Sequence, residues 1–158
     1  MNIRKIEPTD NKALAQIIRK SLEEFGVNQP GTVYTDPTTD ALFELFQTPK
    51  SIYWVAEDQG ELIGGCGIYP TNGLPSGYAE LVKLYLAEKY RGKGMGKSLM
   101  LKSIESAREM GYSHLYLESL PELNQAVDLY HKVGFTSLDH SIGESGHFAC
   151  NLWMEMKI

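Results

Sequence analysis

Leu84-Tyr-Leu-Ala-Glu-Lys-Tyr-Arg-Gly-Lys-Gly-Met-Gly-Lys-Ser98 decides how the chain folds. An apolar run with strand character ends in a turn holding Gly92, Gly94 and Gly96, and a helix follows at once, over about residues 96–110. Glycine takes positive φ at little cost and lets a ligand come close to the backbone. A helix start presents N–H groups with no intrahelical acceptor and a partial positive charge. Arg91, Lys93 and Lys97 add full charges. The physics of the turn points to an anion, and to phosphate in particular. The plainer alternative is a glycine-rich turn with solvated lysines.

Outward from this turn, the periodicities place the remaining elements. Upstream, residues 78–86 form a long strand, and residues 51–57 and 61–69 make a hairpin around Asp58-Gln59-Gly60. Before the hairpin, residues 2–6 alternate as a short strand. Thr9 or Asp10 caps a helix whose apolar face is Leu14, Ile17, Ile18, Leu22 and Phe25, and Gly26 ends it. Residues 26–37 are rich in breakers and read as a long loop, a length that in a compact domain is often functional. Thr38 or Thr39 starts a short second helix with Leu42, Leu45 and Phe46 inward. Downstream, Gly111 closes the helix after the turn. Residues 114–118 are a strand, 123–133 a helix ended by Gly134, and 135–138 and 148–156 a closing pair of strands. The order is β-α-α-β-β-β-α-β-α-β-β. The expected fold class is α/β, a mixed, mostly antiparallel central sheet flanked by helices, in a single domain over residues 1–158.

Composition narrows the function. The chain has 158 residues, 42% of them hydrophobic, and a net charge of −5. That charge argues against nucleic acid as a partner, because phosphate backbones call for a basic face. It is compatible with a cationic acceptor. No apolar run is long enough to span a membrane, and the start lacks a signal peptide's apolar stretch, so a cytoplasmic protein is expected. Cys66 and Cys150 lack metal-site spacing and read as small apolar residues; no metal is expected.

Three phosphate-loop patterns compete for the turn. The pattern G-x-x-x-x-G-K-[ST] nearly fits at Gly96-Lys97-Ser98, but the first glycine it needs falls on Arg91. The fingerprint G-x-G-x-x-G fails because Gly92, Gly94 and Gly96 read G-x-G-x-G. The pattern [Q/R]-x-x-G-x-[G/A] is satisfied by Arg91, Gly94 and Gly96. It is the coenzyme A pyrophosphate loop of the GNAT (Gcn5-related N-acetyltransferase) superfamily, which this sequence resembles. The flanks agree. Residues 79–86, Ala-Glu-Leu-Val-Lys-Leu-Tyr-Leu, resemble the family's fourth strand, and Asn124-Gln-Ala-Val-Asp-Leu-Tyr-His-Lys-Val-Gly-Phe135 resembles its late helix and final Gly-Phe.

The resemblance implies an N-acyltransferase that moves an acetyl group from acetyl-coenzyme A, as co-substrate, to a primary amine of a small molecule or peptide by direct attack in a ternary complex. It implies that the pyrophosphate lies on Arg91, Gly92, Lys93, Gly94, Met95, Gly96, Lys97 and Ser98. Pantetheine then pairs with the strand at Leu84, Tyr85 and Leu86 by β-augmentation, and Asn124 hydrogen-bonds the cofactor arm. Leu84 and Leu86 also read as core residues, and Asn124 as an N-cap. A lysine-like amine is neutral in only about one molecule in 2,500 at pH 7, so a base near the acceptor helps. Glu80 occupies the position where some relatives place a catalytic glutamate; the alternative is a surface carboxylate or a structural partner for Lys83. Tyr130 matches the residue that protonates the leaving thiolate, against a simple packing role. Tyr34, in the long early loop, and His147, between the last two strands, are candidates for the acceptor pocket, each with an ordinary structural alternative. A non-catalytic coenzyme A-binding regulator and an enzyme with a longer acyl donor remain open, as do the acceptor's identity and homodimer formation.

Overall fold

A computed structural model describes all residues, 1–158. One seven-stranded sheet runs through the chain: β1 (Asn2–Lys5), β2 (Ile52–Asp58), β3 (Glu61–Tyr69), β4 (Tyr78–Leu86), β5 (His114–Ser119), β6 (Thr136–Leu138) and β7 (Leu152–Lys157). Their spatial order is β1-β2-β3-β4-β5-β7-β6. Every pairing is antiparallel except β4 with β5, which is parallel. The helices are α1 (Asn11–Glu24), the short α2 (Leu42–Leu45), α3 (Met95–Glu109) and α4 (Asn124–Val133). The expected element order and sheet class are observed, and no helix is long and apolar enough to cross a membrane.

Both sheet faces are covered, and the period-2 alternation of β2 decides which residue goes where. Tyr53 and Val55 point to one side, where they join Leu14, Ile18 and Leu22 of α1 and Leu42 of α2. Trp54 and Ala56 point to the other, where Leu99, Met100, Ile104 and Ala107 of α3 and Tyr130 of α4 complete a second core. Each fully buried Leu, Ile or Met in these cores stabilises the fold by about 1.5–3 kcal/mol.

Two local expectations differ from the structure. Asp10 holds the cap position of α1, but its side chain makes no capping bond to the helix. Pro8–Asp10 is a 3-10 turn, and the buried Asp10 carboxylate accepts from the Glu7 N–H at 2.7 Å and from the Arg4 guanidinium at 2.8 and 3.0 Å. The last strand starts at Leu152, not at residue 148. The stretch 147–150 instead folds back over the early loop, with the Ala149 N–H bonded to the Gly31 carbonyl at 3.0 Å. Alternating apolar residues could not separate a strand from a loop that packs on another loop.

Candidate functional site

At the turn before α3, the backbone N–H groups of residues 92–97 have no acceptor within the protein. The first to bond back is Ser98, to the Gly94 carbonyl at 3.1 Å, and the same oxygen takes the Ser98 hydroxyl. Gly92 and Gly94 have φ of 72° and 85°, and a Cβ on either would meet nothing within 4 Å. They are glycines for the backbone angle, and the space above them is open to a ligand. Gly96 is different: it lies in the helix, and a Cβ there would sit 3.4 Å from Leu86 and 3.6 Å from Leu129, ordinary contact distances.

Arg91 does not extend into this space as a free charge. Its Nε donates to the Leu86 carbonyl at 2.9 Å and its Nη2 to the Ser21 hydroxyl at 3.0 Å, while Nη1 lies 2.8 Å from the Glu24 carboxylate. The guanidinium ties the turn to α1. The free charge at the turn comes from the exposed Lys93 and Lys97.

Downstream of Glu80, β4 separates from β5, because the parallel pairing spans only Tyr78–Glu80 against His114–Tyr116. A bulge sharpens the divergence. Val82 faces Gly67 and Tyr85 faces Gly65, so Lys83 and Leu84 share the place opposite Cys66. Lys83 adopts φ 54°, a left-handed conformation that strains a side-chain-bearing residue by about 1–3 kcal/mol. The Tyr53 hydroxyl holds it there by donating to the Lys83 carbonyl at 2.8 Å. The Tyr53 ring reaches that point by lying across Gly65 and Gly67, where a Cβ would come within 2.4 and 2.6 Å of it. The wedge between the strands is a cleft of about 540 Å³ that runs from Gly92 and Gly94 along Leu84, Tyr85 and Leu86 to a polar end.

At that end Glu80 is almost wholly buried and accepts from the Thr71 hydroxyl at 3.0 Å. Burial, reinforced by the charge of Glu118, pushes its pKa up to about 8, against the smaller opposing pulls of Thr71 and Lys83. Glu118 accepts from the Tyr116 hydroxyl at 2.6 Å and from the Ser145 hydroxyl. Tyr130 is buried edge-on against Phe135, its hydroxyl bonds to no protein group, and burial raises its pKa so that it keeps its proton. His147 lines the cleft with Nε2 2.8 Å from Asp36 Oδ2, and that bond holds the Asp36 carboxylate far below its usual range against the cost of burial. The Cys150 thiol also lines the cleft, and burial pushes it up to about 12, so it stays protonated. A base near neutrality, a protonated phenol and a row of unpaired N–H groups thus open onto one cavity. Such a set can move protons at one end while holding an anion at the other.

The fold does not bring every candidate to the cavity. Tyr34 sits outside it: its hydroxyl donates to Glu23 at 2.6 Å and its carbonyl accepts from Arg19, both on α1. Asn124 is exposed and does not line the cleft. Neither does it cap the helix, since it is the first helical residue and Leu123 holds the cap position without a side-chain bond; Gln125 faces the cavity instead. Lys93, Met95 and Ser98 belong to the turn but not to the cleft wall. Conversely, the structure adds Lys83 and Glu118 to the wall, with Asp36 behind His147. Asp36 lies in the long loop that the sequence marks as unusual. Glu118 carries no local signal, because its approach to Glu80 depends on the pairing of β4 with β5.

The profile of the acetyltransferase (GNAT) family matches residues 14–135. The uncharacterised N-acetyltransferase YjgM of Escherichia coli (strain K12) is 39% identical over 153 residues, 96% of this chain and 92% of that protein. Among solved structures, a GNAT-family acetyltransferase of Staphylococcus aureus Mu50 superposes with TM-score 0.85 at 19% identity, covering 99% of this chain and 98% of that one. The PaiA N-acetyltransferase of Thermoplasma acidophilum, solved in complex with coenzyme A, superposes with TM-score 0.77 at 22% identity, with the same coverage. At these identities the two structures speak for the fold.

Proposed function

The chain belongs to the acetyltransferase (GNAT) family, and from that membership we propose that it transfers an acetyl group from acetyl-coenzyme A to a primary amine by direct attack in a ternary complex. The observation that carries the proposal is the single cleft joining the unpaired N–H groups of Gly92, Gly94, Gly96 and Lys97 to Glu80 and Tyr130. In this reading the N–H groups of residues 92–97 and the charges of Lys93 and Lys97 hold the pyrophosphate. Arg91 acts by holding the turn in place. The edge of β4 past Glu80, left free by β5, takes pantetheine as an added strand, and one of its N–H groups stabilises the oxyanion of the tetrahedral state.

Glu80 removes a proton from the acceptor ammonium; with a pKa near 8 it is matched to that task around neutral pH. The amine nitrogen forms the C–N bond, the C–S bond breaks, and the Tyr130 hydroxyl protonates the departing thiolate. Per turnover the ammonium gives up two protons. One ends on the thiol and the other leaves to solvent. Tyr130 recovers its proton from solvent by way of the open end of the cleft.

A screen of primary amines with acetyl-coenzyme A, read by free thiol release, tests the assignment. Amine-dependent release is expected. Coenzyme A binding with no release for any amine or acyl donor would make the protein a non-catalytic binder, and faster release from longer thioesters would reassign the donor.

A further inference from the structure

Lys83 stands out among the cleft residues. Its side chain is only 4% exposed, yet its ammonium makes no hydrogen bond to any protein acceptor. The nearest carboxylate oxygen, Asp36 Oδ2, is 3.8 Å away, beyond hydrogen-bond reach. That carboxylate is otherwise engaged: Oδ2 with His147 at 2.8 Å, and Oδ1 with the Thr38 N–H at 2.9 Å and the Thr38 hydroxyl at 2.7 Å. An ammonium has three donors, and with no protein acceptor on any of them they open onto the cleft that Lys83 lines. The position is also strained, with φ 54° at a bulge that the Tyr53 hydroxyl pins by its bond to the Lys83 carbonyl. Backbone strain at a lysine whose amine faces a cleft with no protein partner is the pattern of a ligand clamp.

We propose that Lys83 binds a carboxylate on the acceptor, so that the acceptor class is small amino acids carrying amine and carboxylate in one molecule. The proposal rests on the acetyl-transfer reading above. Glu80, which faces the amine in that reading, lies three residues earlier on the same strand, roughly 10 Å away at Cα before the bulge shortens the path. Both side chains enter the same cavity. An amine at Glu80 and a carboxylate at Lys83 therefore span a distance that short amino acids bridge. His147, tied to Asp36 beside Lys83, offers a second polar contact on that flank.

The test compares the twenty common α-amino acids, β-alanine and 4-aminobutyrate with their primary amides, by thiol release and by calorimetric binding to the coenzyme A complex. The best acid is expected to exceed its amide in kcat/KM by on the order of 10–100-fold, the loss that follows removal of a hydrogen bond to a charged group. In Lys83→Met that ratio should collapse to within about threefold of unity, with unchanged affinity for coenzyme A. Lys83→Gly, whose backbone accepts the left-handed angle, should show the same collapse if Met disturbs folding. Equal rates for acid and amide in the wild type, or an undiminished ratio in either variant, overturns the assignment. Weakened coenzyme A binding in both variants would instead give Lys83 to the cofactor. If no amine of either kind releases thiol, the acetyl-transfer reading fails, and calorimetric binding of the acids alone still decides Lys83.

Discussion

Tyr130 carries a hydroxyl with no partner in the protein, so its removal should leave the fold almost untouched. Tyr130→Phe keeps the ring and its edge contact with Phe135; stability should stay within about 1 kcal/mol. Turnover should fall by about 10²–10⁴ if proton donation is needed in the transition state, with little change in coenzyme A affinity. Steady-state kinetics and calorimetry on both proteins check this, and full turnover in the variant would make Tyr130 a packing residue. Glu80 gives the complementary test. A base works only when deprotonated, so kcat/KM should rise with pH through about 8. Glu80→Gln should remove that limb and lower turnover by something like a hundredfold. A pH–rate profile unchanged in the variant would return Glu80 to a structural role.

At the scale of elements, the turn and α3 act as one device. Gly94 is the cap residue at φ 85°, and the space beside it is where a phosphate would lie. Gly94→Val should abolish coenzyme A binding while the chain still folds, at a cost of about 1–3 kcal/mol for the imposed backbone angle. Gly96→Ala is the contrasting case. Its new methyl meets only ordinary contacts, and alanine favours helix, so the variant should bind coenzyme A and gain about 0.5–1 kcal/mol. Calorimetric titration and thermal melts of the two variants decide whether position 94 or the whole glycine run matters. Comparable binding by Gly94→Val would show that the anion lies elsewhere. Arg91 fits the motif, but its guanidinium bridges Leu86, Ser21 and Glu24 across some seventy residues of chain.

For the whole molecule, coenzyme A should act as a staple across β4, α3 and α4. A ligand at about a hundred times its dissociation constant adds roughly 2.7 kcal/mol, or about 5–10 °C in melting temperature for a chain this long. A melting point that millimolar coenzyme A leaves unmoved would remove the cofactor assignment. The buried carboxyl at Glu80 should also shape stability against pH. Its folded pKa lies near 8, above the unfolded value of about 4.5, so the native state holds a proton that the unfolded chain releases. Its contribution is therefore full below about pH 4.5 and is lost as pH rises through about 8. Between pH 6 and pH 9 the wild-type melting temperature should drop by a few degrees more than that of Glu80→Gln, in scans at both pH values. Parallel pH curves for the two proteins would mean that Glu80 is not buried in solution.

The sequence by itself determined the element order, the sheet class and the glycine turn before α3. These rest on local rules: apolar spacing of 2 or 3.6, and glycine where the backbone turns left-handed before a helix. It also singled out Glu80 and Tyr130 by resemblance, and both line the cleft. Only the tertiary structure decided where Asn124 and Tyr34 face, which partners hold Arg91, and that Lys83 sits unbonded beside Asp36 and His147. Those outcomes depend on contacts between distant segments. The early loop meets the late one at Gly31 and Ala149, and β4 parts from β5 after Glu80, and neither event leaves a mark on the residues nearby in sequence. Even the basicity of Glu80 is tertiary. A glutamate in a strand is an ordinary acid until burial and the carboxylate of Glu118 raise it.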